Sequence, residues 1–593
     1  MSDQIKHECA VTLLRLRHGV DYYLRKYGTA WYGFQKLALM LEKQHNRGQD
    51  GAGIACVGLD PEPGTPCYQL EKSNHPPCLA DLLEKIGKTV PDEPSPLPGD
   101  GMKRHYPFCG ELYLGHLRYG TFGRSGLNAC HPFVHENACL DRTLLLAGNF
   151  NLTDTAEIFR ILQATGHHPS SRQDGALILQ LISHSLEQMR DQKQHNFSLA
   201  EVLTRAIRNF DGAYTLCGIL GNGEAFAVRD PAGIRPGYYY FDDEVVAVSS
   251  ERPAIQAAFN CSTADAGELP PGQALIISRD AQVRFERILP EKPLRRCVFE
   301  RIYFSRGNDA GIHQERKALG RALVPQLLDA VERDWKNTLF SYIPNTAQIS
   351  FHGMLEELQE ECRREAAAGY MPNVRFGQIA VKDAKFRTFI ADAAARRDFY
   401  MHIYDVTYGL LHPGSDTLVV IDDSIVRGNT MRNAILPILD RLGPRRIVVA
   451  SAAPPIRYPD CYGIDMASLK ELVAFEAAVD LLTLHGKLDL LDLCYEEAKR
   501  QLNGKETVTN CVKPVYDAFS DAELTEAIAR RLTPEGLNAE LVLIFQTCEN
   551  LSKCCPEHRG DWYFTGDYPT PGGFRVVNQA LINYMEKRDE RAY

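Results

Sequence analysis

The chain lacks the features that mark membrane, secreted and nucleic-acid-binding proteins. It has no run of about 18 consecutive apolar residues, the length at which a membrane-spanning helix becomes the usual interpretation. The amino terminus has no apolar core of the secretory kind, so we expect a cytoplasmic protein. The net charge of −10 argues against a nucleic-acid-binding protein, which usually carries a basic domain.

Internal repeats and low-complexity tracts are also absent, so we expect ordinary globular domains. A length of 593 residues predicts two to four of them, at roughly 100–200 residues per domain. The 17 cysteines are scattered through a long chain, unlike those of a small disulfide scaffold. We therefore expect most thiols to be reduced and buried, with some available for catalysis or metal binding.

The amino-terminal half, to about residue 290, consists of short apolar runs separated by Gly, Asn and Asp. The runs at 144–147 and 244–248 predict strands, and helical spacing of apolar residues over 176–189 predicts a helix. Residues 73–108 are rich in Pro, Gly and charge, which predicts an inserted loop. The mixture indicates stacked sheets and helices rather than a helix bundle.

The pattern changes after about residue 291. The apolar run 418–421 predicts a buried parallel strand, a helix follows from 431 to about 442, and 447–450 predicts the next strand. Such a βαβ unit is typical of a doubly wound parallel sheet. The last stretch, 476–593, is more helical, with a predicted cysteine-bearing loop at 548–573.

Residues 420–430 have the sequence Val-Ile-Asp-Asp-Ser-Ile-Val-Arg-Gly-Asn-Thr. Two acids stand at the end of the predicted buried strand, and a glycine-containing turn follows them. Backbone N–H groups at such a turn bind phosphate, and carboxylates hold ribose hydroxyls directly or through Mg²⁺. A bare Asp-Asp could equally cap a helix without any ligand. The whole string closely resembles the phosphoribosyl pyrophosphate loop of type I phosphoribosyltransferases. Its Ser-Ile-Val-Arg-Gly form resembles the amidophosphoribosyltransferase family.

Other segments extend this resemblance in the family's order. They are 297–306, 343–346, 387–390, 451–455 and 462–466. The resemblance implies that phosphoribosyl pyrophosphate is bound by Asp422, Asp423, Ser424, Val426, Arg427, Gly428, Asn429, Thr430 and Arg387. It also implies a Mg²⁺ site at Thr346, Asp422 and Asp423.

The family places an N-terminal-nucleophile glutaminase domain before the transferase, and Glu8-Cys9-Ala10-Val11 resembles its start after removal of a short propeptide. A freed N-terminal cysteine can use its own α-amino group, through water, as the base for its thiol. By the same resemblance, the Asn149 amide and the N–H of Phe150 form the oxyanion hole. Glutamine would be bound by Arg47, Arg118, Thr121 and Asp174.

The resemblance also implies how the chain is divided. Residues 1–8 would be the propeptide and 9–290 a class II glutamine amidotransferase domain of the αββα N-terminal-nucleophile type. Residues 291–475 would form the doubly wound parallel-sheet phosphoribosyltransferase domain, and 476–593 a helical carboxy-terminal extension. The fold class is thus α/β combined with α+β.

Two departures from the family lie close to the expected nucleophile and oxyanion hole. Ala10 and Phe150 stand where the family has glycine. A bulky residue at position 150 would strain the chain if φ there had to be positive.

Some family members carry a [4Fe–4S] cluster held by four cysteines. Cys297 fits the first ligand position, but Asp460 occupies the second and Cys461 is one residue away. The remaining candidates are Cys548, Cys554 and Cys555, which lie upstream of the expected place. Buried thiols are therefore favoured over a cluster.

The function implied is the transfer of ammonia from glutamine to phosphoribosyl pyrophosphate, the first step of purine synthesis. Purine nucleotides would be the inhibitors and a homo-oligomer the assembly. Two alternatives remain open at this point. One is an amidotransferase with another acceptor, against which the phosphoribosyl loop argues. The other is an inactive nucleotide-binding regulator, supported by Ala10 and Phe150.

Overall fold

The computed structural model describes residues 8–90, 99–120, 126–192, 198–367, 369, 372–382, 404–464, 466–504 and 507–592. These residues divide into two compact units. The amino-terminal unit takes in the described residues of 8–297 together with 461–464, and the carboxy-terminal unit those of 298–460 and 466–592.

The amino-terminal unit contains two antiparallel sheets. Its strands are β1 (Ala10–Leu16), β2 (Gly51–Val57), β3 (Tyr68–Ser73), β4 (Leu112–Arg118), β5 (Phe133–His135), β6 (Leu144–Leu152), β7 (Gly212–Leu220), β8 (Ala225–Arg229), β9 (Tyr238–Phe241), β10 (Val245–Ser249), β11 (Gly267–Glu268), β12 (Gln273–Ile277) and β13 (Val283–Arg287). Within the described residues, one sheet has the order β11-β9-β10-β1-β4-β2-β3 and the other β13-β12-β8-β7-β6-β5.

Helices cover the outer faces of both sheets. They are α1 (Val20–Tyr27), α2 (Tyr32–Glu42), α3 (Cys78–Gly87), α4 (Gly99–His105), α5 (Thr155–Ala164), α6 (Asp174–Gln192), α7 (Leu199–Ile207) and α8 (Arg252–Phe259). Alternate residues of β1 show the layering. Val11 and Leu13 pack with Leu145 and Ala147 of the other sheet, while Leu14 packs with helix residues such as Leu41. The unit is thus a four-layer αββα arrangement, which confirms the predicted fold class.

The prediction of a loop over 73–108 is wrong in part. α3 lies within this range, and its buried residues Cys78, Leu82 and Ile86 recur every four positions, so that one helical face packs on the sheet. The helix α4 follows after 91–98, which lie outside the described residues.

The carboxy-terminal unit is built on a parallel sheet. Its strands are β14 (Thr338–Tyr342), β15 (Arg375–Phe376), β16 (Ala380–Lys382), β17 (Tyr404–Val406), β18 (Thr417–Asp422), β19 (Arg446–Ser451) and β20 (Glu540–Phe545). As far as the structure describes the chain, the sheet order is β15-β14-β18-β19-β20, and β16 pairs with β17 as a separate ribbon. The parallel pairing of β18 with β19 confirms the predicted βαβ unit.

The helices of this unit are α9 (Ala310–Ala330), α10 (Gln348–Ala367), α11 (Leu436–Asp440), α12 (Val473–Leu484), α13 (Asp489–Asn503), α14 (Lys513–Asp517), α15 (Asp521–Leu532), α16 (Cys548–Cys554), α17 (Trp562–Thr565) and α18 (Pro571–Met585). π-helical turns span Glu300–Phe304 and Met431–Ile435. The second turn leads into α11, where Pro437 stands near the helix start, a position that needs no N–H donor.

The last part of the chain differs from its prediction in two places. It is mainly helical as expected, but β20 pairs in parallel with β19 and so supplies a strand to the sheet. The predicted loop at 548–573 contains α16 and α17 and the start of α18. None of the helices in the described part of the chain is long and apolar enough to cross a membrane.

Candidate active sites

Cys9 lies immediately before β1, a central strand of its sheet. Ala10 pairs with Leu117 of β4, and this pairing brings Cys9 beside the end of β4. The N–H of Tyr119 donates to the Cys9 sulfur at 3.3 Å. Burial raises the pKa of the Cys9 thiol to about 11, although the N–H of Tyr119 and the charges of Arg118 and Arg47 act in the opposite direction. In this form of the chain the thiol is therefore neutral at neutral pH.

Glu8, the residue before Cys9, is fully buried in a cluster of charged groups. Its Oε2 accepts from Asn149 Nδ2 at 3.1 Å and from Arg47 Nη1 at 3.1 Å, and its Oε1 forms an ion pair with Arg235. Arg47 Nε also donates to Glu251 Oε1 at 2.6 Å. As long as Glu8 is attached, its carboxylate therefore occupies both the expected oxyanion donor and one of the expected glutamine-binding arginines.

Arg118 closes β4 and is buried next to Cys9, whose pKa its charge lowers. The neighbouring chain is fixed by Asp50, whose Oδ2 accepts the N–H of Gly120 at 3.0 Å and whose own N–H donates to the carbonyl oxygen of Arg118 at 3.0 Å. The binding of the glutamine α-carboxylate by Arg118 stays a prediction. Thr121, the other residue predicted for this segment, lies outside the described residues.

Asn149 and Phe150 are neighbours on β6. They pair with Thr215 and Tyr214 of β7 along a regular antiparallel register. Side chains alternate along a strand, so the Asn149 amide faces Glu8 while the Phe150 ring lies on the opposite face. Phe150 has no positive φ, so the backbone strain expected of a bulky residue there does not arise.

Asp174 begins α6, beyond the end of β6. Its Oδ2 accepts the N–H of Leu152 at 2.8 Å, which ties the start of the helix to the strand that carries Asn149. Burial raises the pKa of Asp174 to about 6. Among the described residues no cation lowers this pKa, which is compatible with the predicted contact to an ammonium group.

Asp422 and Asp423 lie where the central strand β18 ends, between β14 and β19. Both are buried, and the Asp423 N–H donates to Asp422 Oδ1 at 3.0 Å. Burial raises the pKa of Asp422 well above its ordinary value and that of Asp423 to about 6, and the two charges also repel each other. This pair of oxygen ligands fits a divalent cation, which would stabilise both charges.

A turn follows these acids and leads into the helical segment that begins at Met431. Gly428 has a φ of +73°, and a Cβ there would lie 2.2 Å from Leu532 Cδ2, so glycine is required for two reasons. The Val426 carbonyl accepts the Val473 N–H at 3.0 Å, and Arg427 pairs with Glu471 at 2.7 Å. Ser424 and Val426 are buried, Thr430 is half-buried and Asn429 is exposed.

Thr346 lies in the turn that follows β14. The Ile343 N–H donates to the Ile421 carbonyl at 2.9 Å, so this turn leaves the sheet at the same edge as the Asp422–Asp423 pair. Carboxyl edges of parallel strands are where ligands bind in open α/β sheets. Arg387 lies outside the described residues.

Within the described ranges, no group of three or more His, Cys, Asp or Glu side chains is arranged to hold a metal ion. Mg²⁺ is nevertheless compatible with the Asp422–Asp423 pair, because it is commonly held by one or two carboxylates plus substrate phosphates. Among the cysteines considered for a cluster, Cys297 and Cys461 belong to the amino-terminal unit and Cys554 and Cys555 to the carboxy-terminal unit.

The sequence did not predict a role at these sites for several charged residues. Arg235 and Glu251 meet Glu8 and Arg47 although they are far apart in sequence, so no local pattern predicts the cluster. Arg316 of α9 is buried and lowers the pKa of Asp423 by its charge, which opposes the effect of burial. A lone arginine within a helix gives no sequence signal for such a role.

Similarity to known proteins covers both units. Residues 129–257 match the family model described as a glutamine amidotransferase domain. Amidophosphoribosyltransferase from Pasteurella multocida is 26% identical over 462 residues, which are 74% of this chain and 79% of that protein. The Saccharomyces cerevisiae amidophosphoribosyltransferase is 26% identical over 533 residues, 85% of this chain and 94% of that protein.

Two solved structures share the fold. One is glutamine phosphoribosylpyrophosphate amidotransferase from B. subtilis, complexed with ADP and GMP, with a TM-score of 0.63, 21% identity, and coverage of 95% of this chain and 97% of that one. The other, described as the allosteric regulatory enzyme of purine biosynthesis, has a TM-score of 0.64, 22% identity, and coverage of 95% and 96%. The chain is accordingly a relative of the amidophosphoribosyltransferases and has the fold of these solved structures.

Proposed function

We propose that the protein converts phosphoribosyl pyrophosphate, glutamine and water to 5-phosphoribosylamine, glutamate and pyrophosphate. One observation carries the proposal. The loop Asp422–Thr430 leaves the central strand of a parallel sheet, in a chain whose other unit holds Cys9 near Arg118 and the adjacent Glu8 against Asn149. The relatives at 26% identity over most of the chain, which are named amidophosphoribosyltransferases, support the same reaction.

In the glutaminase half, the Cys9 thiolate attacks the side-chain amide carbon of glutamine. The carbon–nitrogen bond breaks, ammonia leaves with a proton, and water hydrolyses the glutamyl thioester to glutamate and free thiol. Arg118 and Arg47 would hold the α-carboxylate and Asp174 the α-ammonium group. Thr121 would complete the glutamine site, and Asn149 with the Phe150 N–H would stabilise the oxyanion.

This half of the proposal includes removal of residues 1–8. The position of Glu8 supports it, because its carboxylate accepts from the Asn149 amide and pairs with Arg47. The raised pKa of the Cys9 thiol gives a second reason. A freed α-amino group would supply a base at this sulfur.

In the transferase half, ammonia displaces pyrophosphate at the anomeric carbon of the ribose. The turn 424–430 would cradle the 5-phosphate, and Asp422 and Asp423 would hold the ribose hydroxyls. Mg²⁺ at Asp422, Asp423 and Thr346 would offset charge on the leaving pyrophosphate. Arg387 would lie against the pyrophosphate.

A product assay tests the whole proposal. The purified full chain is incubated with glutamine, Mg²⁺ and phosphoribosyl pyrophosphate, and glutamate and pyrophosphate are quantified. We expect equal amounts of the two products and no pyrophosphate when glutamine is omitted. Mass spectrometry of the same sample should show a chain that begins at Cys9. An active glutaminase that retains residues 1–8 would contradict the N-terminal-nucleophile mechanism.

The same assay separates the two alternatives. Glutamate released without any dependence on phosphoribosyl pyrophosphate indicates an amidotransferase with another acceptor. Neither product indicates a nucleotide-binding regulator. We also propose inhibition by purine nucleotides, a cytoplasmic location and a homo-oligomeric assembly, which titration with AMP and GMP, cell fractionation and analytical ultracentrifugation respectively would test.

A further inference from the structure

Two imidazole rings cover the edge of β6 just before the expected oxyanion donors. The pairing of β5 with β6 ends at Phe133, opposite Leu146, so Gly148 lies beyond the last paired residue on this side. There the N–H of Gly148 donates to His131 Nδ1 at 3.3 Å, and His116 Nε2 donates to the Gly148 carbonyl at 3.0 Å. The two side chains thus bind both backbone groups of Gly148, as a neighbouring strand would.

The two histidines also belong to an aromatic stack. The centroids of the His116 and His131 rings are 3.9 Å apart at an interplanar angle of 19°, and those of His131 and Phe150 are 5.2 Å apart at 19°. Both histidines are buried. The stack therefore contacts β6 at Gly148 through hydrogen bonds and at Phe150 through its ring.

The protonation state of the two rings agrees with these bonds. Burial lowers the pKa of His116 to about 3 and that of His131 well below its usual value. Both rings are therefore neutral at physiological pH, and each has one donor and one acceptor nitrogen. His131 accepts through unprotonated Nδ1, and His116 donates through protonated Nε2.

We propose that His116 and His131 are positioning residues for the oxyanion hole, which they set by fixing Gly148. Backbone groups alternate along a strand, so the Phe150 N–H faces the same edge as the Gly148 N–H, and Asn149 lies between them. A larger residue would not fit at position 148, because a Cβ there would lie 2.6 Å from the Thr215 carbonyl oxygen. The inference rests on the proposed glutaminase function.

Simple core packing is the competing explanation, and two substitutions of His131 separate it from positioning. The Asn side chain of H131N can place an amide oxygen near the position of Nδ1, so it keeps an acceptor for the Gly148 N–H but loses the ring. H131F keeps a ring for the stack but has no acceptor. The two variants thus separate the contribution of the hydrogen bond to Gly148 from the contribution of ring packing.

We expect H131F to lower the glutaminase kcat about tenfold with little change in the KM for glutamine, because displaced oxyanion donors weaken transition-state binding. H131N should stay within about threefold of the unchanged protein. Pyrophosphate release with ammonium instead of glutamine should be the same in all three proteins, since it does not use this site. His116 offers a second pair: H116Q can keep a donor near Nε2, and H116F keeps only a ring.

The proposal is overturned if H131F and H131N keep full glutaminase kcat, or if H131N loses activity while H131F keeps it, which would make packing the decisive contribution. A parallel fall in both reactions together with a lower Tm would also contradict it. If H131F does not fold, the H116Q and H116F pair decides by the same comparison. Failure of the proposed function itself looks different, because the unchanged protein then makes no glutamate.

Discussion

Asp174 shows how a single buried carboxyl can give an enzyme its pH dependence. Its pKa is raised to about 6 by burial, so the carboxylate that would bind the glutamine α-ammonium group is lost as the pH falls through this value. We expect the KM for glutamine to rise steadily below pH 6 while remaining flat above pH 7.

The D174N variant tests this assignment. Loss of a charge-assisted hydrogen bond should raise the KM for glutamine about tenfold at pH 8, and the rise below pH 6 should disappear. The control is E157Q on α5, whose side chain is about half exposed to solvent. Steady-state glutaminase kinetics between pH 5 and pH 9 provide the measurement. An unchanged pH profile in D174N would show that Asp174 does not bind glutamine.

Glu8 lies in a cluster of buried charged side chains. Its carboxylate contacts two guanidinium groups, those of Arg47 and Arg235, and all three side chains are inaccessible to solvent. In a C9A chain shown by mass spectrometry to retain residues 1–8, we expect E8A to destabilise the amino-terminal unit by about 3–5 kcal/mol. Urea unfolding measures this, with E42A at an exposed position of α2 as the control. Equal stability of E8A and E42A would contradict a structural role for the cluster.

This cluster also shows which contacts sequence motifs do not predict. Cys9, Arg118, Asn149 and Asp174 were predicted because each lies in a short string that resembles a family motif, and their roles remain predictions. The strings around Glu8 and Arg235 gave no sign that these two side chains pair, and nothing in the sequence indicated the contact of His131 with Gly148, since all of these contacts join distant segments. Pairing of this kind depends on the finished tertiary structure.

At the scale of elements, Gly428 sets the shape of the turn 424–430, which is proposed to bind the 5-phosphate. Its φ of +73° is matched by the +76° of Gly414, but a Cβ at Gly414 meets nothing within 4 Å, whereas one at Gly428 meets Leu532. We expect G414A to cost about 1 kcal/mol of stability through backbone strain alone. G428A should cost more and should raise the KM for phosphoribosyl pyrophosphate severalfold. Identical KM values for the two variants would show that this turn does not contribute to binding phosphoribosyl pyrophosphate.

Strands and helices were predicted correctly where the pattern of apolar residues was unambiguous. β18 and β19 are continuous apolar runs buried on both faces, which is the usual appearance of central parallel strands. α3 was missed because Pro and Gly dominate the composition around it, although its apolar residues recur every four positions. The strand β20 was missed within a helical stretch, although its apolar run at 541–545 resembles the other strands of the sheet.

At the scale of the whole molecule, the proposal divides the chemistry between two units. A C9A variant should release no glutamate from glutamine, because the nucleophile is absent. With ammonium as the nitrogen source it should still release pyrophosphate from phosphoribosyl pyrophosphate at close to the rate of the unchanged protein. The unchanged protein with ammonium is the control, and pyrophosphate is quantified in both. Loss of the ammonium reaction in C9A would mean that the two sites do not act as separate catalysts.

The order of the strands also has a consequence for biosynthesis. β20 pairs with β19 and completes the parallel sheet, yet the helices α12–α15 separate it from that strand in the sequence. A nascent chain therefore exposes the unpaired edge of β19, next to β18, until β20 has been synthesised. Chains that end before residue 540 would thus be prone to aggregate rather than being merely shortened enzymes.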